Sequence, residues 1–168
     1  MDPIIVVALQ TFAQQEEHFL AVIAGLPDDA LNWRPGPETN SLAVLVIHTW
    51  SAAEAWMARA GGHEIVRDRD AEFRMTADGA TLTALIRERA ASVRAATSAL
   101  RPDEFAVMRT RPNGETFPTA YCLIHALEHT QEHLGQALLT RQLWEQAHGQ
   151  SIEAEDDDGY RLPPPPAI

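Results

Sequence analysis

The stretch HALEHTQEHLGQ, residues 125–136, places three histidines at intervals of four residues within a helical pattern. In an α-helix each residue turns the chain by about 100° and advances it by about 1.5 Å, so residues four apart share a face. The rings of His129 and His133 can therefore converge on one ion, and so can those of His125 and His129. Because His125 and His133 lie about 12 Å apart along the axis, at most two ligands of one metal come from this helix.

A third ligand must come from elsewhere, and His48 is the candidate. It lies in SLAVLVIHTW, residues 41–50, where the apolar neighbours predict an imidazole that faces the core or a cavity. A metal bound by His48, His129 and His133 would satisfy all three rings, and three imidazoles with an open position are typical of a catalytic site. The alternative is a hydrogen-bonded histidine cluster without a metal, because a lone histidine on an apolar helix usually packs in this way.

The apolar pattern predicts four long helices. Asp2 and Pro3 suit the cap and first position of the first helix, and Ser41 or Asn40 suits the cap of the second. The predicted ranges are residues 3–25, 41–60, 80–100 and about 118–147. Four such helices indicate an all-α four-helix bundle.

The segments between these helices carry turn-forming and polar residues. Residues 26–40 hold three prolines and predict an irregular connection, and residues 63–79 predict a polar loop. Asn113-Gly114 between short flanks predicts a hairpin turn. The connections between helices 1 and 2 and between helices 3 and 4 are the ones expected to line a site.

Composition limits the classes of function. The chain has 168 residues and a formal net charge of −11, which disfavours nucleic acid and anionic membranes as partners. No stretch has the roughly 20 apolar residues that a membrane span needs, and the first residues do not resemble a signal peptide. Cys122 is the single cysteine, which excludes an intramolecular disulfide. Together these features predict a cytoplasmic protein. We expect one domain over residues 1–149 and a disordered acidic, proline-rich tail over 150–168.

Two motifs resemble those of the DinB/YfiT-like superfamily. HTQEHLGQALLTRQLW, residues 129–144, is similar to the signature of the family's last helix, and LNWRPGPETNSLAVLVIHTW, residues 31–50, resembles its Trp-Arg-Pro loop and second helix. The resemblance implies a bundle of up-down-down-up topology. It also implies that one divalent metal is held by His48, His129 and His133, with His125 one turn away in the pocket.

The resemblance further implies chemistry with a low-molecular-weight thiol. Relatives include thiol S-transferases and an isomerase, and a metal that favours the thiolate suits that chemistry. The expected protein is thus a metal-dependent thiol transferase or isomerase acting on a small molecule, with Zn or Ni as the first candidates for the metal and Fe or Mn as further ones. The alternative is a non-enzymatic metal-binding or stress-associated protein. Gly135 stands where sulfoxide synthase relatives carry a glutamate, which disfavours that reaction. A homodimer is expected.

Several other side chains are candidates for the wall of the site. Gln136 follows His133 by three residues and could orient a ligand or contact substrate. The remaining aromatic candidates are Trp33, in the loop that enters the second helix, and Trp50 and Trp56, which follow His48. Each of these three could equally belong to the core or cover an end of the bundle.

Overall fold

The computed structural model describes residues 1–149, so the predicted tail over 150–168 lies outside the described part of the chain. The long helices correspond to the four that the sequence predicts. The elements in chain order are α1 (Pro3–Ile23), α2 (Asp28–Asn32), α3 (Leu42–Ala60), α4 (Arg69–Glu72), α5 (Gly79–Ala99), a 3-10 turn (Pro102–Glu104), β1 (Met108–Thr110), β2 (Thr116–Pro118) and α6 (Thr119–Ala147).

Side chains that cap the first turn fix the starts of three long helices. The Asp2 carboxylate accepts a hydrogen bond from the Ile4 amide at 2.8 Å, and Pro3 occupies the first turn of α1. Ser41 accepts from the Val44 amide at 3.3 Å at the start of α3, and Asp78 caps α5 in the same way. The predicted starts of α1 and α3 are therefore confirmed.

Contacts between the long helices give the up-down-down-up order. Gln15 donates to the Leu127 carbonyl at 3.2 Å and Arg141 donates to the Val22 carbonyl at 3.0 Å, so α1 and α6 run parallel. The ion pair between Arg94 and Glu16 joins α5 to α1. One core cluster joins the end of α1 to the first halves of α3 and α5, so α3 and α5 run parallel to each other and antiparallel to α1. Each of α1 and α3 packs against both α5 and α6, so α1 and α3 lie on one diagonal of the bundle. The predicted four-helix bundle is confirmed.

The core fills the space between these helices in two clusters. One surrounds Trp50 and Phe19, and the other surrounds Phe12 and Met57. The apolar stripe of α3 is unusually wide, because nearly all of its residues are buried. This burial holds the helix, and His48 with it, in a fixed position against α6.

Two short helices correct the prediction for the connecting segments. α2 lies within the segment predicted to be irregular, and α4 lies within the predicted loop over 63–79. Each has five residues or fewer, which is too short to display an apolar period. α4 begins where the Asp68 carboxylate accepts from the Ala71 amide at 2.9 Å. The connection between α3 and α5 thus has a defined structure that the sequence did not predict.

The hairpin between α5 and α6 follows the prediction. β1 and β2 pair antiparallel with Thr110 opposite Thr116, and Gly114 in the turn has a φ of +87°, which favours glycine. Among the described residues, no helix is both long and apolar enough to cross a membrane.

Candidate metal centre

Helices α3 and α6 bring three imidazoles together. His48 comes from α3, and His129 and His133 come from successive turns of α6. One ring nitrogen of each lies within 4.8 Å of the other two. The His48 ring centroid is 5.2 Å from those of both His129 and His133. His48 is buried, and the other two rings are partly exposed, so a small molecule can approach the group from their side.

Hydrogen bonds orient two of the three rings, those of His48 and His133. His48 Nδ1 lies 3.1 Å from the Glu72 carboxylate, and His133 Nδ1 lies 2.8 Å from Gln136 Oε1. Both oxygens are acceptors, so each Nδ1 carries a proton and donates it. Each Nε2 therefore keeps its lone pair free to bind a metal.

Glu72 belongs to the candidate site but was not predicted from the sequence. It is buried at the end of α4, and Arg67 holds it through two hydrogen bonds of 2.9 and 2.6 Å. Burial alone would raise the pKa of Glu72, but the hydrogen bonds from His48 and Arg67 outweigh burial and hold that pKa below its usual range. The carboxylate is thus ionised at neutral pH and can accept the His48 proton.

The sequence offered only a weak signal for Glu72. Residues 63–79 are mostly polar and charged, and nothing in their spacing separates one carboxylate from another. The connections expected to line a site were those between the first and second long helices, now α1 and α3, and between the third and fourth, now α5 and α6. The structure instead places a site residue in the connection between α3 and α5.

The imidazoles on α6 are neutral at physiological pH. Burial lowers the pKa of His129 to about 3, with smaller contributions from the neighbouring His133 and His48. Burial also lowers the pKa of His133, although its hydrogen bond to Gln136 acts in the opposite direction. A neutral imidazole has a lone pair to offer, so little proton competition opposes metal binding here.

The spacing of the two ring nitrogens on α6 fits a divalent ion. His129 Nε2 and His133 Nε2 lie 3.2 Å apart. Two nitrogens bound tetrahedrally at about 2.0–2.1 Å from zinc are separated by about 3.3 Å, which is close to that distance. His129 Nδ1 is buried and has no hydrogen-bond partner among the described residues. Three imidazole donors and the spacing of the two nitrogens on α6 suit one divalent metal.

His125 lies next to this group but outside it. Its ring stacks on Tyr121 at 5.5 Å between centroids and meets the edge of Trp56 at 4.5 Å. The His129 ring is 5.8 Å away. His125, one turn before His129 on α6, and Trp56 on α3 thus form an aromatic contact beside the three imidazoles.

Two other predicted wall residues lie away from the site. Trp50 is fully buried and meets the edge of Phe19 at 5.9 Å, so it belongs to the core. It follows His48 by two residues, or about 200° around the helix, which directs it to the opposite face. Trp33 meets His148 at 6.0 Å and covers the end of the bundle where α6 finishes.

Cys122 is fully buried, and burial raises the pKa of its thiol, so it is a packing residue and not a nucleophile.

Comparisons with known proteins place the fold. A model of the DinB superfamily matches residues 11–137. A conserved protein from Enterococcus faecalis aligns with a TM-score of 0.69 at 15% identity, over 82% of this chain and 94% of that one. A DinB-like protein from Bacillus cereus aligns with a TM-score of 0.66 at 16% identity, over 86% of this chain and 93% of that one. A mycothiol-dependent maleylpyruvate isomerase aligns with a TM-score of 0.60 at 14% identity, over 82% of this chain and 67% of that one. At these identities the likeness shows a shared fold. No protein of curated function matches the chain significantly.

Proposed function

The chain belongs to the DinB superfamily, and from this premise we propose that it is a divalent-metal-dependent enzyme that transfers, or isomerises with, a low-molecular-weight thiol. The observation that carries the proposal is the convergence of His48, His129 and His133, whose ligand atoms lie within 4.8 Å of one another. A solved structure of the same fold is a mycothiol-dependent isomerase, which supports a thiol as the partner molecule.

The residues around the three imidazoles have separate roles in this proposal. Glu72 holds the His48 ring and Gln136 holds the His133 ring, each through Nδ1, so that both Nε2 atoms face the shared position. A bound divalent ion would lower the pKa of a thiol at its open position and so supply the thiolate nucleophile. Imidazole ligands suit Zn or Ni first, with Fe or Mn as further candidates.

The metal content of the purified protein tests the proposal. We expect about one divalent ion per chain by mass spectrometry in tag-free wild type, and its loss in His129→Ala. His63→Ala is the matched control, because it removes an exposed histidine on the connection after α3 and should leave the metal in place. If added Zn and Ni also fail to bind wild type, the metal-dependent function is wrong.

Activity separates the enzyme from the alternative, a non-enzymatic metal-binding protein of the same fold. Metal-loaded wild type is incubated with a small thiol and an electrophile, and thioether formation is followed by mass spectrometry. Turnover above that of His129→Ala supports the enzyme. Stable metal binding without turnover of any of several small thiols tested in this way supports the alternative.

Assembly as a homodimer and a cytoplasmic location remain predictions. Exposed apolar side chains on α1 and α6 offer a surface for a second copy, namely Ile4, Val7, Ile124, Leu138, Leu139 and Leu143. Light scattering after size exclusion tests the dimer, because a monomer at all concentrations contradicts it.

A further inference from the structure

Arginines without an ion-pair partner collect near Phe73, the residue that follows α4. Most arginines among residues 1–149 have a carboxylate within ion-pair distance, and the exceptions are Arg34, Arg69, Arg74 and Arg87. Two of these contact Phe73, and a third is its neighbour in the chain. Arg34 donates to the Phe73 carbonyl at 2.9 Å, the Arg69 guanidinium lies 5.6 Å from the Phe73 ring centroid, and Arg74 is the next residue in the chain. We refer to Arg34, Arg69 and Arg74 as the arginine rim.

Phe73 connects the arginine rim to the candidate metal centre. Its ring centroid lies 4.7 Å from that of His48, and the Arg69 guanidinium lies 5.6 Å from the same ring. A cation within about 6 Å of an aromatic ring is held there by the ring's electron density. The charge of Arg69 also reaches His133, where it is one of the influences that lower the pKa of the ring. Arg69 is therefore the rim residue best placed to contact a molecule bound at the imidazoles.

The positive charge of the rim is unusual in this chain. The formal net charge is −11, so a free arginine would be expected to find a carboxylate. Two acids of this segment have other partners: Glu72 is held by Arg67 and His48, and Asp68 caps the amide of Ala71. Asp70 follows Arg69 in the chain, but the two form no ion pair among the described residues. Glu132 on α6 also acts on His133 and would oppose an anion, but it does not pair with Arg69.

We propose that Arg69 binds the carboxylate of a small thiol whose sulfur occupies the open position at His48, His129 and His133. The inference rests on the proposed function and deepens it by naming the substrate class as carboxylate-bearing thiols. A guanidinium suits this role because its planar fork can donate two parallel hydrogen bonds to one carboxylate. Phe73 and the hydrogen bond from Arg34 to its carbonyl position Arg69. Once the sulfur is bound, the contact between the carboxylate and Arg69 forms within the complex, so the two contacts together raise the affinity more than either would alone.

Two thiols that differ only in charge test the inference. Protein loaded with Co(II) is titrated with 3-mercaptopropionate and with its neutral amide, 3-mercaptopropionamide. Binding of each sulfur is followed by the sulfur-to-cobalt charge-transfer absorbance. The quantity compared is the affinity for the acid divided by the affinity for the amide. We expect this ratio to be about fivefold higher in wild type than in Arg69→Gln, which is the upper range for one exposed charge pair. The difference should shrink as salt rises.

Variants of matched charge make the test specific. Arg87→Gln removes an exposed, unpaired arginine of α5 and should keep the wild-type ratio. Arg69→Lys keeps the charge but loses the fork, so its ratio should fall between those of wild type and Arg69→Gln. Equal ratios in wild type and Arg69→Gln would overturn the inference while leaving thiol binding intact. If cobalt binds but neither thiol produces a charge-transfer band, the proposed thiol function fails as well.

Discussion

His48 on α3 donates from Nδ1 to the carboxylate of Glu72 on α4 across 3.1 Å, although 24 residues separate the two in the chain. This bond makes a four-residue helix part of the candidate metal centre. It selects the tautomer of His48 and increases the basicity of Nε2, which is how carboxylates next to metal-bound histidines commonly act. Arg67 fixes the carboxylate in turn through two hydrogen bonds.

Loss of the Glu72 carboxylate should weaken metal binding. We expect Glu72→Gln to reduce zinc affinity about tenfold to a hundredfold, the usual range for such partners. The amide can still accept the His48 proton, but it lacks the negative charge and leaves Arg67 without its ion pair. Competition with a chromophoric chelator measures the affinity. The matched control is Glu64→Gln, because Glu64 forms a similar two-bond pair with Arg59, five residues away, on the same connection. Equal losses in both variants would show a general effect of the connection and contradict the role of Glu72.

Gln136 should orient His133 through its amide oxygen. Gln136→Leu removes the acceptor that lies 2.8 Å from His133 Nδ1, so we expect zinc affinity to fall about tenfold. Gln136→Glu restores an acceptor at the same place and should recover the affinity. The same chelator competition gives both values. Failure of the glutamate variant to exceed the leucine variant would show that the hydrogen bond does not position the ring.

The stability of the fold should be sensitive to a cavity in the core beside the candidate metal centre. Leu134 follows His133 on α6 and is fully buried in the core cluster around Trp50 and Phe19. We expect Leu134→Ala to lower the free energy of unfolding by about 2–5 kcal/mol. Val66→Ala, at an almost fully exposed position outside α6, should change it by less than about 0.5 kcal/mol. Urea unfolding of the metal-free proteins compares the two. Similar losses would contradict the packing of α6 described above.

Helical geometry brings His129 and His133 together, but it does the same for His125 and His129. The resemblance of residues 129–144 to the last helix of the family was needed to choose between the two pairs. The apolar neighbours of His48 then direct the third ring inward. Glu72 could not be predicted, because its position depends on how a short polar helix folds back over α3. Local spacing carries no information on such a contact. Trp50 was a candidate through closeness in sequence, but a separation of two residues places it on the opposite face of the helix.

The metal-free protein should lose stability as the pH falls below about 6.5, the value at which an unfolded histidine takes up a proton. Burial lowers the pKa of His129 to about 3 in the folded chain, so between these values the unfolded chain binds the extra proton and folding becomes less favourable. His133 acts in the same direction. Between pH 7 and 5 the carboxylate of Glu72, whose pKa is lowered, stays ionised and does not contribute. Urea unfolding at pH 7 and pH 5 should show a smaller difference for His129→Gln than for wild type, while His63→Gln, at an exposed position, keeps the wild-type difference. An unchanged difference in His129→Gln would mean that this imidazole does not become buried in its neutral form on folding.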